Sequence, residues 1–155
     1  MLSKLLIAED EGPKLSSVRT FVEGLLPNVS VRAARSVRST VDLLRSWRPN
    51  LLLLDMSLPT FDIGPSEPGG RPQGFGGIEV LRIMGFEERK IPVVVITAYE
   101  AFNDRGRDID LVDLSARLSE DHPDTFRGLV YYNSVVGGWQ EKLSVCIELV
   151  QQELQ

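Results

Sequence analysis

The chain has 155 residues, a net charge of −5 and a pI near 4.9. That length suits one domain with its own core, and the acidity argues against a nucleic-acid surface, which draws on a basic face. A single cysteine, Cys146, excludes an internal disulfide and fits a reducing compartment. No stretch reaches the roughly 18 apolar residues of a membrane span, and the N-terminal apolar run is too short for a secretory signal, so the expected setting is cytoplasmic, with neither membrane nor nucleic acid as partner.

Apolar runs alternate with helical stripes. "KLLIA" (4–8) reads as a strand covered on both faces. Leu15, Val18, Val22 and Leu25 follow at helical spacing. "VSVRAA" (29–34) alternates like a strand nearer an edge. Val37, Val41, Leu44 and Trp47 mark a second helix, with Ser36 as its N-cap. "LLLLD" (51–55) is another wholly apolar strand. Ile78, Leu81 and Met84 give a short third helix, and "IPVVVIT" (91–97) a fourth strand. "DIDLVDLSARLSE" (108–120) predicts a helix, with Ile109, Leu111, Val112 and Leu118 apolar and Asp108, Asp110 and Asp113 near its N-terminus. "GLVYY" (128–132) is the fifth strand. Trp139, Leu143, Cys146, Ile147, Val150 and Leu154 stripe the last helix. This alternation predicts a doubly wound (βα)5 parallel sheet.

In such sheets, ligands bind beyond the carboxyl ends of the strands, where strand order reverses. The first strand ends in Glu9, Asp10 and Glu11, the third in Asp55, and the fourth in Thr97. If these strands are neighbours, the acids converge, and like charges then repel. A hard divalent cation resolves that repulsion. Mg²⁺ prefers oxygen ligands, keeps several waters and takes one or two carboxylates, which suits Glu9, Asp10 and Asp55.

On these residues the chain resembles the receiver domain of two-component response regulators over most of its length. "LLIAEDE" resembles the family's first strand and acidic pair, "PNLLLLDMSLPTFD" its third strand, and "IPVVVITAY" its fourth. The resemblance implies a flavodoxin-like fold of strand order 2-1-3-4-5. It implies that Asp55 takes a phosphoryl group from a histidine kinase or phosphotransfer protein. Asp10 and the Ser57 carbonyl would bind Mg²⁺, Glu9 would bind it through water, and Thr97 would be the switch hydroxyl. Such a domain is a signalling module whose only chemistry is its own phosphorylation and dephosphorylation. It would be stand-alone over 1–155, acting on a downstream protein partner or as a homodimer.

The sequence departs from the family at three places. The lysine that normally ends strand five is missing, and the best register puts Asn133 there, with a slip of a residue or two open. Arg105, Arg107 and Arg127 are loop alternatives for the lost charge. Residues 63–76 look like an insertion between "PTFD" and "GIEVLRIM", either a lid over the acyl phosphate, a docking loop or a tolerated excursion. The region 99–127 is expanded. These departures leave a second expectation open, a degenerate pseudo-receiver that binds protein without phosphotransfer. A phosphatase using Asp55 would want a second Asp two residues on, where Ser57 stands.

Among the remaining residues, His122 reads as a solvated loop residue and Cys146 and Trp139 as core. Tyr131 and Tyr132 point to opposite faces, one expected to be buried and the other free for contact.

Overall fold

The computed structural model describes residues 1–62, 75–104 and 106–155. Twelve elements follow in chain order: β1 (Lys4–Ala8), α1 (Gly12–Leu25), β2 (Ser30–Ala34), α2 (Val37–Ser46), β3 (Leu51–Leu54), α3 (Gly76–Phe86), β4 (Val93–Thr97), β5 (Ala101–Asp104), β6 (Arg107–Asp110), α4 (Leu111–Asp121), β7 (Phe126–Tyr131) and α5 (Trp139–Glu153). Five strands form one parallel sheet in the order β2-β1-β3-β4-β7. With β7 as the fifth strand of that sheet, this is the expected 2-1-3-4-5 order.

Alternate side chains along each strand feed two cores. Leu6, Leu52, Leu54 and Val95 pack with α2, α3 and α4. Leu5, Leu51, Leu53 and Val94 pack with α1 and α5 on the other face. All four residues of β3 are buried, which is why that strand is apolar without a break. Because the chain winds outward from β1 on one side and from β3 on the other, the crevice at their carboxyl ends is the switch point.

Local signals explain most boundaries. Ser36 caps α2 through a reciprocal box with Ser39. Helix α1 admits Pro13 in its first turn, where the missing amide hydrogen costs nothing. Two stripe residues sit elsewhere than expected: Leu25 is exposed, its place in the core taken by Leu26, and Val112 points outward.

The stretch 99–127 holds an element that periodicity did not suggest. Strands β5 and β6 form a separate antiparallel pair. The predicted helix therefore starts later, at Leu111. Asp108 belongs to β6, and Ile109 enters the core from that strand. Asp110 is the N-cap, accepting from the Asp113 amide at 2.8 Å. His122 is the half-buried C-cap of α4 rather than a solvated loop residue, and burial holds its imidazole below the usual value. Cys146 is half-buried and Trp139 buried, while Tyr131 and Tyr132 are both half-buried. No described helix is long and apolar enough to cross a membrane.

The segment after β3 is held from two sides. Pro59 and Thr60 carbonyls accept from the Val37 and Arg38 amides at the start of α2, and Ser39 donates to Asp62 at 2.8 Å. On the other side, the Gly77 amide donates to the Met56 carbonyl at 3.0 Å. A Cβ on Gly77 would lie 2.4 Å from Met56 Cε and 2.6 Å from the Asp55 carbonyl oxygen. Gly77→Ala is therefore expected to cost about 1–3 kcal/mol by overpacking, read as a lower midpoint in urea. A native midpoint would mean that α3 does not seat on the Asp55 backbone this closely.

Candidate functional site

Asp55 leaves the carboxyl end of the central strand β3, with its amide donating to the Ala8 carbonyl of β1 at 3.0 Å. Its side chain is buried, and so is that of Glu9, the residue after β1. Burial of two acids side by side is unfavourable unless a cation accompanies them. The cation is Lys14. Its Nζ lies 2.5 Å from Glu9 Oε1 and 3.3 Å from Asp55 Oδ1, and it donates to the Ile96 carbonyl of β4 at 2.9 Å. Lys14 is only 2% exposed, a burial that lysine seldom reaches without such partners. Behind the carboxylates, a cavity of about 10 Å³ between Ala8, Leu54 and Ile96 has room for one water at most.

Both Glu9 oxygens are engaged, since Oε2 accepts from the Glu11 amide at 3.0 Å. Burial first, and the Asp55 charge second, push the Glu9 carboxyl up to about 7 against the pull of Lys14. Asp10 sits half-buried at the rim. Burial also raises its carboxyl, opposed by the Arg35 guanidinium and assisted by the charges of Asp55 and Asp62. Arg35 also donates to the Asp10 carbonyl at 2.7 Å. Thr97 is fully buried at the end of β4, and its Oγ1 accepts from the Tyr99 amide at 3.2 Å. Ser57 is buried two residues past Asp55.

The donor set fits a hard cation. No group of three or more acidic, histidine or cysteine side chains converges among the described residues. Asp10 and Asp55 are near enough for the Asp55 charge to act on Asp10, and carboxylate oxygens of this kind suit a cation that keeps several waters, as Mg²⁺ does.

The strand pairing bears on the register left open at the end of strand five. Thr97 pairs with Tyr131, and the Tyr132 amide donates to the Thr97 carbonyl at 2.8 Å. Tyr132, one residue earlier than Asn133, presents its ring 5.9 Å from Lys14 Nζ. The Asn133 side chain turns into its own loop and accepts from the Val135 and Val136 amides. Arg127 is at the opposite end of the strand, paired with Glu153 at 2.7 Å. Arg107 lies in β6, and Arg105 falls outside the described residues, as does residues 63–74 of the expected insertion.

Lys14 was the residue that sequence reading missed, though a signal was there. It lies one turn before Val18 and two before Val22, the other buried residues of α1. A helix that starts at the strand ends aims the first residue of its inward stripe at those ends.

This fold is that of response-regulator receiver domains. Solved receivers from Clostridium thermocellum (TM-score 0.66, 15% identity, covering 99% of this chain and 98% of that one) and, CheY-like, from Methanospirillum hungatei (0.65, 16%, 98% and 96%) superpose on it. Among curated proteins, the chain is 26% identical over 140 residues to the uncharacterized protein y4jR of Sinorhizobium fredii, covering 88% of this chain and 91% of that protein. It is 24% identical over 142 residues to the Detocs response regulatory protein DtcB of Enterobacter cloacae, covering 90% and 95%. No family model matches.

Proposed function

We propose that the chain is a receiver that accepts a phosphoryl group on Asp55 from the phosphohistidine of a histidine kinase or phosphotransfer protein. The observation that carries this reading is the placement of Asp55, buried at the switch point of a receiver fold with Glu9 and a lysine ammonium around it. The similarity to proteins called response regulatory supports it. The receiver unit, with 63–76 inserted and 99–127 expanded, works in the cytoplasm and passes its state to a protein partner or a second copy by contact. It is a signalling domain, not an enzyme that turns over a substrate.

In the reaction, an Asp55 carboxylate oxygen attacks phosphorus as the P–N bond breaks, and the electron pair leaves with the imidazole. The carboxylate is fixed by its strand and shielded from water by burial. Asp10, Asp55 and the Ser57 carbonyl would hold Mg²⁺, with Glu9 reaching it through water. That ion would neutralise charge developing on the phosphoryl oxygens. Thr97 Oγ1 already accepts from Tyr99, so its hydroxyl hydrogen remains to be donated to a phosphoryl oxygen. Turning it inward would loosen the Tyr99 contact, a local event of the kind that biases a two-state element.

One observation favours the second reading, a pseudo-receiver: Lys14 already neutralises the buried acids, and the strand end offers Tyr132 instead of a lysine. Acetyl phosphate with Mg²⁺ decides between them. The expected result is a phosphoryl mass on the native chain that Asp55→Asn lacks. Absence of both that mass and beryllofluoride binding at millimolar Mg²⁺ leaves only the pseudo-receiver.

A further inference from the structure

Lys14 carries an inference that rests on the phosphoacceptor reading and goes beyond it. We propose that Lys14, delivered from α1, is the cation that binds the phosphoryl group on Asp55, a role that the strand end leaves open.

Three observations converge. The ammonium is already in place, with three donor hydrogens shared among Asp55, Glu9 and the Ile96 carbonyl. Among the described residues, no other lysine or arginine is paired with Asp55 or Glu9. The Tyr132 ring fills the strand-end position and lies alongside the ammonium, where its face favours a cation.

Phosphorylation changes what this ammonium meets. The new Oδ–P bond removes the carboxylate charge from Asp55 and sets anionic phosphoryl oxygens just beyond it. Lys14 keeps all three hydrogens through the step, and the bond broken is the donor's own P–O or P–N bond. Of the three contacts, the one to Asp55 is the longest at 3.3 Å, so the ammonium re-aims with little loss. A charge-assisted bond to the phosphoryl group takes the place of the Asp55 contact, and the ammonium keeps its hold on a backbone carbonyl. The carbonyl concerned belongs to Ile96, directly before Thr97. Lys14 therefore links occupancy of Asp55 to the end of β4 as well as to helix α1.

The test has two arms. First, phosphorylation by acetyl phosphate is timed in the native chain, in Lys14→Met, and in Lys14→Met combined with Tyr132→Lys, which returns a lysine to the strand end. Lys14→Met is expected to slow the reaction at least about tenfold, the worth of one charge-assisted bond, with the second substitution restoring most of the rate. If the native chain is modified and Lys14→Met keeps its rate, the proposal is overturned while the phosphoacceptor reading stands. If the native chain takes no phosphoryl group, both fall.

Second, ¹⁵N-lysine labelling of the native chain, which has four lysines, follows the Lys14 ammonium by NMR as beryllofluoride is added. This arm needs no variant to fold. A shift of the Lys14 signal that Asp55→Asn abolishes supports the proposal. A beryllofluoride complex that leaves the signal unmoved overturns it.

Discussion

Lys14→Met is expected to destabilise the unphosphorylated chain by about 3–5 kcal/mol at pH 8, the cost of stranding a buried charge by removing its partner. Here two carboxylates are stranded, Glu9 and Asp55, with almost no water behind them. The sign with pH follows from Glu9. Its carboxyl is raised from an ordinary 4.5 to about 7, chiefly by burial. A group raised in the fold gives up stability as pH climbs from its unfolded value through its folded one. In the native chain that window runs from about 4.5 to about 7. The Lys14 charge works against the rise, so removing it moves the upper limit higher. The part of the loss in Lys14→Met that comes from Glu9 should therefore be absent through the native window, where both chains lose stability alike, and grow above about pH 7. Urea titrations of both chains at pH 5 and pH 8 check this. An equal loss at the two pH values would assign the effect to packing of the lysine stem and not to its charge.

Trp139→Ala is the second large effect, about 3–5 kcal/mol for a buried aromatic reduced to a methyl. Trp139 is 5% exposed and opens α5. Its ring meets Phe21 edge-on, with centroids 5.4 Å apart, and Tyr132 at 5.1 Å. It joins α1, β7 and α5 beneath the crevice, and it props the tyrosine that lies beside Lys14. The substitution should thus lower the unfolding midpoint and also slow acetyl phosphate labelling. Trp139→Phe, which keeps an aromatic ring there, should recover most of both. A stability loss with unchanged labelling would separate this aromatic cluster from the site.

The sheet was legible because its physics is simple. A Leu51–Leu54 run this short, closed by Pro49 before it and Asp55 after it, reads as a strand covered on both faces, and the helical stripes at Val18, Val37 and Leu143 state which faces are inward. What stayed hidden depends on pairing across the sheet or on cost. In "LVYYN" no glycine or proline stands between Tyr131 and Asn133 to mark the strand's last residue; the pairing of Thr97 with Tyr131 places it. Strand β6 reads RDID, and three charges in four residues mask a strand whose one apolar residue, Ile109, is buried. Lys14 was passed over because a lysine on a helix is ordinarily solvated. Only the acids brought in by β1 and β3 make its burial favourable.

The anchoring of residues 55–62 has a consequence for how this chain can vary. Asp62 is fastened to Ser39 of α2, and Gly77 to the backbone of Met56. The two ends of the joining segment are thus fixed by neighbours, each without reference to the other. Whatever length of polypeptide joins them is a guest between two moorings, and closing a longer one adds little entropy cost. The chain can exchange that guest, or an engineer can replace it with a sensor peptide or an affinity handle, while the carboxylate of Asp55 stays where its strand puts it.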